Sequence, residues 1–220
     1  MYHLKETVFT SKNLMNDFHI IKGAVSEQTC KVIAKAFRIT RDGVLFPHHD
    51  NKVRGDDIVE NSFSWYSPIS FEALADQVVK DIVEKMTGDK LYNSYSYGRS
   101  SYHGAVLPRH RDRAASDYAV SCLVDTDCTW PLYFKIDGEE VEIRQEIGDM
   151  VIYNGNIIEH WREPFEGTEQ LSAFMFYVKD KMREFEGRPL QGMPYNPQWD
   201  PNTIQHTLEN LRAAHGVTNP

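Results

Sequence analysis

Residues 107–125 read LPRHRDRAASDYAVSCLVD, and the order of residue types in this stretch decides the fold. Its second half, DYAVSCLVD, is dense in apolar and β-branched residues and reads as a strand. Its first half puts His110 and Asp112 just ahead of that strand, after a strand-like run and Gly104. Working outward, the same strand signature recurs in LYNSYSY, WPLYFKI, EVEIR, DMVIY, NIIEHW and LSAFMFYV. Turn residues separate these runs: Asp137-Gly138, Gly148-Asp149, Asn154-Gly155 and Gly167. Asp137-Gly138 between two alternating runs is a strong hairpin signal. Short strands at regular spacing predict a sandwich, a barrel or a jelly roll.

Upstream the period changes. FHIIKGAVS, at 18–26, is an apolar strand-like run that ends on Ser26, a helix N-cap, with Glu27 in the first turn. Cys30, Ile33, Ala34 and Phe37 then follow at helical spacing. Residues 39–68 carry FPHHDNKVRGDD, have no clean period and read as a polar loop. Ser70 is placed to cap a second helix with a stripe of Leu74, Val78, Val79, Ile82, Val83 and Met86, stopped by Gly88. Past residue 180 a Pro-rich segment leads to a last helix capped by Asp200, with Pro201 in its first turn and Ile204, Leu208 and Leu211 on one face. The expected organisation is a single domain over 1–220. Residues 1–90 form helical N-terminal support, 91–180 the β core, and 181–220 a C-terminal wrap and helix. The fold class is α+β, mainly β.

Composition sets the outer bounds. The chain has 220 residues, 41% hydrophobic and 25% charged, ordinary for a globular domain. Three cysteines, Cys30, Cys122 and Cys128, form no CxxC pair, which suits a reducing, cytoplasmic compartment. No apolar run reaches the ~20 residues of a membrane span. MYHLKETVFT lacks a basic segment followed by an apolar one, so no signal peptide is expected. A net charge of −8 argues against binding to a nucleic-acid backbone.

Among nine histidines, His-x-Asp occurs twice. His48-His49-Asp50 lies in the polar loop with no strand before it. His110-Arg111-Asp112 lies at a strand end, where a rigid frame can hold a metal to geometry. His160, 50 residues beyond His110, offers a third ligand. Two histidines and one carboxylate form the facial triad of non-haem Fe(II) oxygenases and leave three positions open. A zinc hydrolase could also use such a set, but neither HExxH nor His-x-His is present.

With GDMVIYNGNIIEHWREPFEG at 148–167 and QLSAFMFYV at 170–178, the stretch resembles the Fe(II)/2-oxoglutarate-dependent dioxygenases. The closest branch is that of the prolyl 4-hydroxylases, and FHIIKGAVSEQTC is similar to its leading strand and helix. The resemblance covers about residues 17–180 and is strongest over 91–178. It implies a double-stranded β-helix, or jelly-roll, core with N-terminal and C-terminal helices flanking it. It also implies His110, Asp112 and His160 on Fe(II), with 2-oxoglutarate and O2 as co-substrates. The family chemistry converts 2-oxoglutarate to succinate and CO2 and hydroxylates a C–H bond, and the Asp in the His-x-Asp favours hydroxylation over halogenation.

The family places a buried Arg or Lys for the distal carboxylate of 2-oxoglutarate nine or ten residues after the second His, and here those positions are Glu169 and Gln170. A buried anion beside a neutral side chain is poorly compensated. Arg162 lies two residues past His160, on the same strand face, and can supply the charge. Gln170 and Ser172 echo the family's Arg-x-Ser on the final strand. Lys135 and then Arg99 are the other candidate cations. A tyrosine one strand before the His-x-Asp often bonds the co-substrate in this family; Tyr102, eight residues before His110, is close to the usual offset but not on it, and Tyr97 is the alternative. Arg113 and Trp65 are candidate substrate contacts, whereas alternation points Trp161 away from His160.

The expected function is therefore an iron- and 2-oxoglutarate-dependent hydroxylase of a peptidyl proline, an amino acid or another small metabolite. The alternatives are a cupin-like jelly roll that binds metal or ligand without oxygenase turnover, and a capsid- or lectin-type jelly roll in which the triad does not converge. The expected partners are a small-molecule or peptide substrate, with no nucleic acid and no membrane.

Overall fold

In a computed structural model the described residues are 5–7, 18–45, 59–66, 69–112, 116–180, 184–185 and 188–189. Eleven strands carry the architecture: β1 (Lys5–Thr7), β2 (Phe18–Lys22), β3 (Ser62–Tyr66), β4 (Tyr92–Tyr102), β5 (Leu107–His110), β6 (Tyr118–Thr126), β7 (Leu132–Ile136), β8 (Glu139–Ile143), β9 (Met150–Tyr153), β10 (His160–Arg162) and β11 (Glu169–Val178). Seven pair in the order β1-β2-β9-β6-β11-β4-β3, and four in the order β5-β10-β7-β8. Every pairing is antiparallel; β1 to β4 all lie in the larger sheet, and from β4 onward the chain passes back and forth between the sheets, with the β7–β8 hairpin kept in the smaller one. This is the expected jelly roll.

Two apolar layers follow from the two faces of the large sheet. Between the sheets lie Phe18, Ile20, Ala119, Phe134, Val151, Tyr153 and Phe176. On the other face, Ile21, Val120, Cys122, Leu171, Ala173 and Met175 meet the helices. Alternation along β11 thus splits it cleanly: odd positions face the helices and even positions face the interior.

Helix α1 (Glu27–Ile39) starts as its sequence dictates. The Ser26 hydroxyl accepts from the Thr29 N–H at 3.1 Å, and Cys30, Ile33, Ala34 and Phe37 are buried. Phe37 stacks on Phe71 at 5.4 Å over Gly98 of β4. A Cβ at Gly98 would lie 2.2 Å from the Phe71 ring and 2.6 Å from that of Phe37, so glycine is what lets both rings reach the sheet. The end of α1 is tied to β6 and β11 by ions. Arg38 meets Asp125 at 2.6 Å and Glu169 at 3.0 Å, and Arg41 meets Glu169 at 2.7 Å.

The second helix departs from the expectation. Helix α2 (Ile69–Leu74) begins before Ser70, which is not its cap. A π-helical turn over Ala75–Val79 then inserts an extra residue before α3 (Lys80–Thr87). The insertion rotates the stripe: Ala75 and Val79 are buried, whereas Val78, assigned to the stripe from its spacing, is 39% exposed. Gly88 ends α3 in the left-handed conformation, as expected. The 39–68 stretch is not loop throughout. A π-helical turn occupies Thr40–Leu45, and Ser62–Tyr66 is an edge strand on β4. NIIEHW shortens to the three residues of β10. The Asp137-Gly138 hairpin joins β7 to β8 with φ of 52° and 90°, the two positive values a type I′ turn needs. The helix expected after Asp200 lies outside the described residues. No helix among the described residues is long and apolar enough to cross a membrane.

Two outcomes follow. Gly98→Ala forces the Phe37–Phe71 pair to move and should destabilise the protein by about 1–3 kcal/mol, with melting falling roughly 2–4 °C per kcal/mol; calorimetry checks it. Burial pushes the Cys30 thiol up to about 11 and that of Cys122 well above its ordinary value, while Cys128 is half-buried. A thiol reagent should therefore label one cysteine quickly in the folded protein and three after denaturation.

Candidate metal centre

Strands β5 and β10 pair so that His110 and His160 face each other directly, with ring centroids 4.2 Å apart. Each ring is fixed by the same device. The His110 Nδ1–H donates to the Pro108 carbonyl at 2.8 Å, and the His160 Nδ1–H donates to the Ile158 carbonyl at 3.1 Å. A carbonyl only accepts, so both Nδ1 atoms carry the proton and both Nε2 atoms present lone pairs.

Asp112 enters from the loop beyond β5. Its backbone N–H donates to the Gly155 carbonyl at 2.8 Å, which locks the loop onto the turn after β9. A Cβ at Gly155 would fall 1.8 Å from Asp112 Oδ2, so only glycine leaves the carboxylate its place. Asp112 Oδ1 is 3.8 Å from His110 Nε2 and 3.7 Å from His160 Nε2. The three ligand atoms all lie within 4.8 Å of one another. Buried Asp112 Oδ2 has no hydrogen-bond partner among the described residues.

Burial shapes the charges here. It pushes the Asp112 carboxyl up to about 6 and His160 down to about 4, and burial together with His160 lowers His110. Three lone pairs thus converge on one point with no cation among them. Two imidazole nitrogens and a carboxylate oxygen on one side are the donor set for a divalent transition metal with open positions. The orphaned Oδ2 and the space reserved by Gly155 fit such an ion.

Behind the triad sits a second unusual charge. Arg162 lies on the same face of β10 as His160 and is only 4% exposed. Its guanidinium donates to the Trp130 carbonyl, donates to Gln145 Oε1 at 3.2 Å, and lies 4.9 Å from the centre of the Trp130 ring. Gln145 is held in turn by the Ser121 and Asp149 carbonyls. No carboxylate pairs with Arg162 among the described residues. Burial pulls its guanidinium down to about 9, so it is still a cation at neutral pH. A buried unpaired charge is costly and calls for an anion.

The remaining sequence candidates divide by strand face. Gln170 and Ser172 are buried on the interior face of β11, joined at 3.2 Å. Gln170 Oε1 and the interior Ser121 Oγ have no hydrogen-bond partner among the described residues. Arg99 is also interior, opposite Ser172 in register, bonded to Ser64 Oγ at 3.0 Å and lying over the Tyr97 and Phe174 rings. Tyr102 lies on the opposite face of β4, where its hydroxyl accepts from Arg41 at 3.1 Å, so it does not meet the triad. The reason is parity: β4 runs unbroken to Tyr102, and Tyr97 and Arg99 share the interior face while Tyr102 does not. Lys135 alternates outward on β7 and is exposed. Trp65 packs on Phe37 at 5.5 Å in the helix layer, not over the triad. Arg113 lies outside the described residues. Trp161 points away from His160, stacked on Tyr133 at 5.5 Å beneath Arg109.

Two residues had no sequence signal. Gln145 supports Arg162 from the turn before β9. Tyr153, on β9, buries its hydroxyl 3.5 Å from His160 Nε2. Burial holds its phenol well above the ordinary value, so it remains a hydroxyl.

Solved structures share this architecture. A Pseudomonas putida prolyl-4-hydroxylase matches with a TM-score of 0.56 at 15% identity over 77% of this chain and 96% of its own. The chain has the fold of the 2-oxoglutarate/Fe(II) oxygenases. The α-ketoglutarate-dependent epimerase SnoN from nogalamycin biosynthesis, solved with Fe3+, α-ketoglutarate and nogalamycin RO, gives 0.62 at 11% identity over 84% and 93% of the two chains. HygX from Streptomyces hygroscopicus, solved with nickel, 2-oxoglutarate and hygromycin B, gives 0.61 at 11% over 85% and 96%. No family model matches the chain, and no curated protein matches it in sequence.

Gly155→Ala should weaken Fe(II) or Co(II) binding about 10–100-fold, the usual cost of disturbing a ligand's support. His160→Ala should abolish it. Calorimetric metal titration, with circular dichroism to confirm the fold, measures both.

Proposed function

We propose that this protein is an Fe(II)- and 2-oxoglutarate-dependent oxygenase that hydroxylates a peptidyl proline, an amino acid or another small metabolite. The observation that carries this reading is Arg162: a buried guanidinium with no carboxylate partner among the described residues, two residues from a buried metal-type His, on the same strand face. A metal-binding jelly roll alone has no use for that charge. An oxygenase whose co-substrate is a dicarboxylate needs one cation at the metal's far side.

In this reading His110, Asp112 and His160 hold the iron. Arg162, with Gln170 and Ser172, holds the distal carboxylate. Gln145 and the Trp130 carbonyl keep the guanidinium aimed, and the interior aromatic layer excludes water. Iron(II) and 2-oxoglutarate together supply the oxidising power that places one atom of O2 in a C–H bond, with succinate and CO2 as products. The three free cysteines support work in a reducing, cytoplasmic compartment. The net charge of −8 supports a small-molecule or peptide substrate over nucleic acid.

Anaerobic addition of Fe(II) and then 2-oxoglutarate should produce the weak visible metal-to-ligand charge-transfer band, and His160→Ala should lose it. Arg162→Ala should keep iron but weaken 2-oxoglutarate at least roughly 30-fold, as truncating one partner of a buried charge pair does; Lys135→Ala should change neither. Iron binding without a band in the wild type would instead favour a metal-binding protein without oxygenase turnover.

A further inference from the structure

The layer between the sheets is not sealed evenly. Val151 and Phe134 are at 0% exposure, whereas Tyr95, Tyr97 and Phe174, on β4 and β11, stay half-exposed. Register pairs Tyr95 with Phe176 and Tyr97 with Phe174. The four rings form one slab. Phe174 stacks on Tyr97 at 4.8 Å, Tyr97 lies 5.7 Å from Phe176, and Phe176 stacks on Tyr95 at 4.2 Å, with planes inclined by 25°, 13° and 10°. Arg99 closes one end, its guanidinium 5.3 Å from the Tyr97 ring centre and 5.6 Å from that of Phe174, a cation–π contact that holds both planes. On β6, the next strand across, the same two rows carry only Ala119 and Ser121. No large side chain of that strand separates the slab from Tyr153, which is paired with Ala119 from β9 and reaches His160. Tyr95 and Tyr97 lie within electrostatic reach of the Tyr153 hydroxyl.

Geometry decides which part of the slab a ligand meets. Side chains stand roughly perpendicular to their sheet. Rings stacked along the sheet turn their faces to one another, so their edges and the two tyrosine hydroxyls project into the chamber. Ring edges are the positive rim of the aromatic quadrupole, and their complement is the negative face of a planar π system. A saturated ring offers no such face. The slab covers two inward positions on each of two strands, roughly 7 by 5 Å, broader than a single pyrrolidine ring. Resting on the oxygenase reading, we infer that the Tyr95–Tyr97–Phe174–Phe176 slab is the substrate-binding wall, and that the substrate is a planar aromatic small molecule rather than a prolyl peptide. Such a molecule lays one face on the ring edges and extends across Ala119 and Ser121 toward the triad.

The test is calorimetry on protein loaded anaerobically with Fe(II) and 2-oxoglutarate, titrated with 2-naphthol, with its saturated counterpart decahydro-2-naphthol, and with N-acetylprolinamide. Wild type should bind 2-naphthol at least about 3–10-fold more tightly than either of the others, the worth of edge-to-face aromatic contacts beyond area alone. Phe174→Leu and Tyr95→Leu, at opposite ends of the slab, should each erase most of that preference. The charge-transfer band of each loaded variant reports separately on the iron and the co-substrate. Equal affinity for the three compounds, or no binding of 2-naphthol, would overturn the inference. So would a preference that both leucine variants keep, or its loss together with the band, since the rings would then serve the frame or the co-substrate pocket. If wild type itself shows no band, the oxygenase reading falls and the substrate assignment falls with it. A wild-type band without a preference for 2-naphthol removes this inference alone.

Discussion

His110 and His160 stand directly opposite each other across one antiparallel strand pair, and everything at the site depends on that register. A slip of one residue would turn an imidazole to the outer face of the sheet. The pairing also sets the rest of the site. It leaves Asp112 just past the end of β5, where Gly155 can receive it, and it carries Arg162 into the interior on the next inward position of β10. One strand register thus positions two metal ligands and an anion-seeking cation together.

The same interior gathers groups that are costly to bury. A carboxylate, two lone pairs and a guanidinium are all desolvated, and Ser121 Oγ and Gln170 Oε1 have no hydrogen-bond partner among the described residues. Such groups persist only because the surrounding frame is stable without them. The frame supplies this through the helix layer, where Phe37 and Phe71 lie over Gly98, and through the strand ladders on both sides of β11.

Much of this was legible from the sequence where the signal is local. The Ser26 cap, the Asp137-Gly138 hairpin and the spacing of His110, Asp112 and His160 depend on a few neighbouring residues or on a strand parity that runs undisturbed. Arg162 was legible for the same reason, being two residues from His160. Tyr102 and Val78 were misplaced because a single residue of offset reverses a strand face or rotates a helix stripe, and neither the length of β4 nor the π turn at Ala75–Val79 is marked by composition. Trp65 belongs to an edge strand hidden in a stretch of polar sequence. Gln145 and Tyr153 could not have been found by motif. Their roles come from contacts made across 17 and 7 residues of chain with particular atoms of Arg162 and His160.

The final strand shows how such a protein can change its trade. On β11, Glu169, Leu171, Ala173 and Met175 hold the helix layer, while Gln170, Ser172, Phe174 and Phe176 face the chamber. The two sets interleave in sequence yet answer to different neighbours. Selection acting on what the chamber accepts can therefore rewrite every second letter of the strand and leave the intervening letters, which keep the molecule folded, untouched. An interleaved code of this kind lets one scaffold drift among ligands without passing through unfolded intermediates.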